Sequence, residues 1–227
     1  MNTNFNKKIT TINSIKKTII MLFFILFSVS SAFGQVPEGF KIVKDTASFI
    51  RKMTVQSKLT NTTECDFEQE KFISVMSEKI TSKGHFCFKK DNKLRWEYNT
   101  PFKYLIVINN GKMFIKDNGK VSKYDINSNK MFKSINEMMM SIVQGTLFSN
   151  KDYDVKYYEN DKQYQLVLSP NKKGTKEFLK TINLFISKTD FAVTKVKMVE
   201  PGGDYTSLNF TNRKTNEPIA DEKFVVK

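Results

Sequence analysis

Residues able to perform acid–base, nucleophilic or metal chemistry are few in this 227-residue chain and poorly spaced for it. His85 is the only histidine, so neither a histidine-based zinc set nor a Cys-His pair with an orienting partner assembles readily around it. It reads as an exposed strand residue. Ser169-Pro170-Asn171-Lys172 has the serine-x-x-lysine spacing of an acyl-transfer nucleophile, but such a serine should open a helix and this segment is a proline-containing turn. The same spacing recurs at Ser14 to Lys17, as chance predicts. No glycine-rich phosphate cradle follows a strand run. Carboxylate pairs are available in any chain with 23 acidic residues, and an exported hydrolase is the last of the readings considered.

The apolar inventory is more informative. Twenty Phe and ten Met are many for this length. Phe67, Phe86, Phe88, Trp96 and Tyr98, with Ile106 and Ile108, fall on strand faces, while Met138, Met139, Met140 and Ile142 fall on a helical run. Ordinary core is the plain reading of each residue alone. Three consecutive methionines weigh against it, because no single helical face buries all three, and Met repacks around variable shapes. These residues are placed to line an apolar cavity.

The elements that must position these side chains follow from period. From Glu38 to Thr62 the pattern suits a helix with Phe49, Ile50, Met53 and Leu59 on or near one side and Asp45 or Thr46 as cap. From Glu64 onward, alternating runs predict strands over Asp66–Val75, Ser82–Lys90, Leu94–Tyr98, Tyr104–Ile108, Lys112–Lys116 and Val121–Asp125. Asn109-Asn110-Gly111 and Asp117-Asn118-Gly119 are hairpin turns that tolerate positive φ. A second helix is expected over Asn129–Val143, ended by Gly145. Strands resume at Tyr153–Tyr158, Gln163–Leu168, Phe178–Ser187, Ala192–Val199, Thr206–Asn212 and Lys223–Val226. A sheet of about 11–12 antiparallel strands in one domain must curl. The expected fold is mainly β with α: an unclosed antiparallel barrel with helices over its concave mouth.

Residues 1–34 read as a secretory signal. Lys7, Lys8, Lys16 and Lys17 precede a nearly unbroken apolar run, Thr18 to Val29, and Ala32-Phe33-Gly34 supplies the small residues before Gln35. A retained anchor is the alternative, but about 12 apolar residues are short for a bilayer core of about 30 Å. No cysteine follows the small residues. Cleavage between Gly34 and Gln35 leaves one domain, residues 35–227, soluble in the periplasm. Losing four lysines takes the net charge from +14 to +10, spread without blocks. That charge suits anionic lipid or acidic partners, whereas export and the lack of an arginine-rich element argue against nucleic acid. Cys65 and Cys87 permit a disulfide in an exported chain. However, Cys87 alternates with Phe86 and Phe88 while Cys65 shares the face of Phe67, so inward phenylalanines would leave the sulfurs on opposite faces.

Phe67-Glu68-Gln69, Gly84-His85-Phe86 and Arg95-Trp96 occur in the order of the F-x-Q, G-x-F/L and R-W elements of the LolA family of periplasmic lipoprotein carriers, which this chain resembles over nearly all of residues 35–227. The segment Glu200-Pro201-Gly202-Gly203-Asp204-Tyr205-Thr206 through Asn209-Phe210 is also similar. The resemblance implies an open barrel lidded by short helices and a monomeric carrier without enzymatic activity, cofactor or metal, whose acyl-binding surface would be Phe67, Phe86, Phe88, Trp96, Tyr98, Ile106, Ile108, Met138, Met139, Met140 and Ile142. Exposing an acyl chain of about 14 methylenes to water costs on the order of 11 kcal/mol at about 0.8 kcal/mol per methylene, which is why such cargo needs a shelter. It would take acylated lipoproteins, or another envelope lipid, from an inner-membrane exporter toward an outer-membrane acceptor. It also implies Trp96 toward the cavity and Arg95 on the opposite face, where Arg95 and Glu97 would pair. In family members an Arg-Pro shortly before the R-W element helps hold the lid closed. Lys90-Asp91 stands there in this chain, and Lys lacks the bidentate fork of Arg. Lys90 and Arg95 are therefore the candidate lid contacts. An exported scaffold module with a dry core is the reading from another class.

Overall fold

The computed structural model describes residues 36–128, 130–143 and 151–226, without the side chains of residues 130–132, 134, 135, 139 and 143. Contacts divide the chain into Met1–Val36 and Pro37–Lys227. The expected signal, the expected helix stop at Gly145 and the side chain of Met139 lie outside the described residues. The described residues of the second unit contain twelve strands: β1 (Lys41–Ile42), β2 (Thr62–Ile73), β3 (Glu78–Lys89), β4 (Lys93–Thr100), β5 (Tyr104–Asn109), β6 (Lys112–Asp117), β7 (Lys120–Asp125), β8 (Tyr153–Glu159), β9 (Gln163–Pro170), β10 (Thr181–Ser187), β11 (Val193–Val199) and β12 (Tyr205–Thr215). Helices are α1 (Thr46–Leu59), α2 (Lys130–Val143) and the single turn α3 (Lys173–Lys176). The strands form one antiparallel sheet in the order β1-β8-β9-β10-β11-β12-β2-β3-β4-β5-β6-β7. Its ends, β1 and β7, do not pair, so the barrel is unclosed.

Turn chemistry places the hairpins where the sequence expects them. Asn110 and Gly111, at φ 50° and 71°, link β5 to β6, and Asn118 and Gly119, at 46° and 80°, link β6 to β7. Asp91 and Asn92, at 71° and 57°, do the same between β3 and β4. Pairing then sorts side chains into rows across the strands. Cys65, Phe86, Trp96, Ile106 and Ile115 form one inward row, and Thr63, Phe88, Leu94, Ile108 and Met113 form the next. Gly84 sits opposite Phe67 because the ring covers it. A Cβ on Gly84 would lie 2.0 Å from the Glu97 carbonyl oxygen and 2.6 Å from Phe67 Cζ.

Three sequence expectations change. The helix expected from Glu38 starts only at Thr46, where Asp45 caps it by accepting from the Ser48 N–H at 2.8 Å. The residues before it form β1, paired with β8 through Lys41↔Glu159 and Ile42↔Tyr158. A two-residue edge strand carries too little alternation to show a period. Phe49 and Met53 are buried as expected, with Phe49 4.6 Å from the Tyr164 ring centroid, whereas Leu59 is exposed at the helix end. The strand expected at Phe178 begins at Thr181, after α3. The strand expected at Lys223–Val226 is a 3-10 turn, Asp221–Phe224, lying across the convex face of the sheet.

This carboxy-terminal segment is strapped down by packing and charge. Phe224 is 1% exposed and packs with Ile219 on Cys87 and Val107. Lys89 Nζ donates to Asp221 Oδ1 at 2.6 Å and to the Ile219 carbonyl at 2.9 Å, and Lys93 pairs with Asp221 at 2.9 Å. Lys223 Nζ donates to Glu64 Oε1 at 2.8 Å. His85, expected to be simply exposed, is half-buried between Glu64 Oε1 (2.8 Å from Nε2) and Asp66 Oδ1 (2.9 Å from Nδ1). Cross-strand pairing Glu64↔Cys87 and Asp66↔His85 gathers these groups. Hydrogen bonds from Lys223 and then His85 hold the Glu64 carboxyl below its ordinary value of 4.5. Asn212 and then His85 lower Asp66 from 3.8.

Gly84→Ala should therefore destabilise the protein by about 1–3 kcal/mol, read as a lower urea midpoint, because neither the carbonyl nor the ring can retreat cheaply. A carboxylate with a depressed folded pKa adds stability that is complete above its unfolded value and lost as pH falls through the folded one. Lys223→Met should thus lower the urea midpoint at neutral pH, and the gap from wild type should close progressively below about pH 4.

Candidate lipid-binding cavity

The concave face encloses a cavity of about 820 Å³, near the top of the range of about 300–1,000 Å³ usual for ligand sites. Strands β2 to β6 form one wall, β11 and β12 another, and α1 and α2 reach over it. Met53, Gln56 and Ser57 come from α1 and Asn136, Met138 and Ile142 from α2. An antiparallel sheet of this width cannot fill its own concavity, and amphipathic helices cover the remainder.

Of the sequence-predicted residues, Phe86, Trp96, Tyr98, Ile106, Ile108, Met138 and Ile142 line the cavity. Phe67, Phe88 and Met140 are buried in the surrounding core rather than in the lining. Phe67 still shapes the wall: its ring lies 4.8 Å from Trp96 and 5.1 Å from Tyr98, centroid to centroid. The Tyr98 hydroxyl donates to Gln69 Oε1 at 2.9 Å, so the three short motifs meet in one patch. Burial leaves the Trp96 indole N–H and Asn136 Oδ1 without well-formed hydrogen bonds at the wall.

Sequence reading missed the second wall. Val196 and Met198 of β11 and Leu208 and Phe210 of β12 line it on the same alternation that flagged β3 and β4, and Val193 joins them beyond a register shift in β11. Phe178 and Phe191, from connecting segments, complete that side. Arg213 and Asp190 line the cavity too, and no periodic signal marks either.

The two candidate lid contacts separate. Lys90 Nζ donates to the Lys58 carbonyl at 2.6 Å, and the Lys90 N–H to the Asn61 carbonyl at 2.8 Å, which pins the carboxy-terminal end of α1. Arg95 faces away from the cavity. It grips Glu97 Oε2 through Nε and Nη2 at 3.0 and 2.8 Å, as its spacing implied, and its Nη1 donates to the Lys223 carbonyl at 3.2 Å. Its partners are thus the carboxy-terminal strap and its own strand rather than a helix over the cavity.

The groups with spacing suited to chemistry are held in structural contacts. Ser169 lies in β9, and Lys172 pairs with Asp152 at 2.7 Å. Glu64, His85 and Cys87 bring ligand atoms within 4.8 Å of one another, but Lys223 already sits on Glu64 and burial pushes the Cys87 thiol up to about 11. Cys65, on the cavity side, is pushed up to about 12 by burial. The two thiols are free and point to opposite faces of the sheet. No helix among the described residues is long and apolar enough to cross a membrane.

Several solved structures are similar at low identity. A DUF1329 family protein from Desulfovibrio piger aligns at TM-score 0.44 and 12% identity, covering 81% of this chain and 98% of that one. A LolA superfamily protein from Nitrosomonas europaea gives 0.42 and 9%, covering 79% and 97%. The lipoprotein LppX from Mycobacterium tuberculosis gives 0.43 and 13%, covering 78% and 98%. No curated protein sequence matches the chain. The family described as outer membrane lipoprotein carrier protein LolA matches residues 58–227, from the end of α1 through the whole sheet except β1, and the chain belongs to that family.

Proposed function

We propose that this protein is a carrier that shelters the acyl chains of lipoproteins in its concave cavity and moves them from an inner-membrane exporter toward an outer-membrane acceptor. In this reading residues 1–34 are the export signal, residues 35–227 the carrier domain, and the periplasm its compartment. The observation that carries the proposal is the large apolar cavity, walled by two groups of strands and covered by helices, in a member of the LolA family. Sheltering a chain of about 14 methylenes recovers on the order of 11 kcal/mol relative to water, which is enough to make exchange through solvent negligible without it. Release then needs only an acceptor that binds more tightly, not nucleotide hydrolysis. Phe86, Trp96, Tyr98, Ile106, Ile108, Met138 and Ile142 are the proposed acyl contacts, with Phe67, Phe88 and Met140 supporting them. Lys90 is the proposed latch, because it ties the sheet rim to the end of α1.

Native mass spectrometry of protein recovered from its own cells tests the cargo. Acylated peptides support the lipoprotein reading, lipid without peptide transfers the reading to another envelope lipid, and a consistently empty protein sinks both. Met138→Asp should abolish cargo recovery while urea unfolding stays cooperative. Trp96 is a poorer probe, since it is packed between Phe67 and Phe86 and its replacement by Asp would strike the core. Lys90→Ala should cost about 1 kcal/mol or less in stability. It should nevertheless speed amide exchange at Thr60 and release bound lipid several-fold faster, measured by hydrogen exchange and by transfer to acceptor vesicles.

A further inference from the structure

Arg213 is in the cavity because of a break in the strand pairing. Along β12, Leu208 and Phe210 face inward, and strict alternation would continue with Asn212 and Lys214. Instead the register shifts between Thr211↔Asp66 and Lys214↔Glu64, so Asn212 and Arg213 together stand opposite Cys65. Asn212 takes φ 51° and turns its amide outward to Asp66 Oδ2 at 2.8 Å. A bulge of this kind re-aims the side chain that follows it. Arg213 and Thr215 consequently line the cavity, and Lys214 does not.

The guanidinium so placed is poorly satisfied. Its side chain is 16% exposed, yet its one ion pair among the described residues, Nη1 to Asp190 Oδ2, is long at 3.8 Å, and Asp190 itself is mostly in solvent. Among the described residues the Arg213 side chain makes no hydrogen bond, and Arg213 is the only Lys or Arg lining the cavity. The chain has 37 basic residues but uses Arg only at positions 51, 95 and 213. Arg95 spends its planar fork on Glu97 and the Lys223 carbonyl. Its remaining donors are open to the cavity, where an anion entering with the cargo would meet them unpaired by the protein. Thr63 and Thr215, paired across the strands one step along the same face, add hydroxyls beside it.

We propose that Arg213 receives an anionic head group, a phosphate or carboxylate, carried by the acyl cargo, with the chains lying along the apolar rows toward Trp96. The site takes acidic lipids in preference to neutral ones with the same chains. The fork of Arg binds either anion through two parallel N–H donors, which a lysine at the same place could not reproduce. This rests on the carrier reading and adds the chemical class of the cargo.

The test compares dimyristoyl phosphatidic acid with dimyristoylglycerol, which share chains and differ in the phosphate, at about 0.15 M salt to screen the basic surface. Trp96 is the only tryptophan and lines the cavity, so its emission reads occupancy of the interior rather than adsorption outside. Wild type should bind the phosphatidic acid at least about tenfold more tightly, the range of one charge-assisted contact. In Arg213→Gln the ratio should fall to about one, and Arg213→Lys should restore it in part, with unchanged urea midpoints showing that the fold is intact. Equal binding of both lipids by wild type, or a preference that survives Arg213→Gln, overturns the inference and leaves the carrier reading standing. Entry of neither lipid removes the carrier reading, and this inference with it. Inorganic phosphate bound as tightly as the phosphatidic acid would make this a free-anion site and overturn its assignment to cargo.

Discussion

The ring of Phe67 lies over Gly84, and this contact locks β2 against β3 in a register that runs from Thr62↔Lys89 to Ile73↔Glu78. A slip of one residue would turn β2 over against β3, placing Glu64 and Asp66 inside and Cys65 and Phe67 outside while Phe86 and Trp96 stayed inside. Both faces have been built on that register. Inward, it delivers the rows that wall the cavity. Outward, it gathers the carboxylates, His85 and Cys87 beneath the carboxy-terminal strap. The absence of a side chain at residue 84 is thus as consequential as any side chain nearby.

The concave face is left incompletely filled, and that is costly for an ordinary domain. A wide sheet closing on itself would exclude the void, but β1 and β7 remain apart and helices cover the opening instead. Helices can be displaced with few broken backbone hydrogen bonds, whereas opening a closed barrel would break a whole ladder. Met53, Met113, Met138 and Met198 in the lining suit contents of variable shape. Binding and stability are therefore separated in space: the convex face, latched by Phe224, Lys89 and Lys223, stabilises the sheet, and the concave face is free to accept a guest.

Much of the sheet was legible in sequence because alternation and turn chemistry are local. Asn-Gly at 110–111 and 118–119 marks hairpins, and the inward positions of β3, β4 and β5 follow from counting by two. Three elements escaped for physical reasons. β1 is too short to display a period, α3 is a single turn, and Asp221–Phe224 carries the apolar spacing of a strand but packs across the sheet face, where no backbone edge is offered. His85 looked like a solvated residue because its carboxylate partners come from the neighbouring strand.

By itself the sequence determined the class of fold, the hairpin sites, the inward faces of β3 to β5 and the opposition of Cys65 to Cys87, since each depends on neighbours within a few residues. Only the tertiary structure decided that β11 and β12 would complete the cavity, that Arg95 would hold the strap while Lys90 pins α1, and that Arg213 would enter the cavity in place of Lys214. Pairing between strands far apart in the chain decides those outcomes. A bulge in particular has no meaning in one strand: two residues must oppose one, and the one that they oppose, Cys65, lies about 150 residues away.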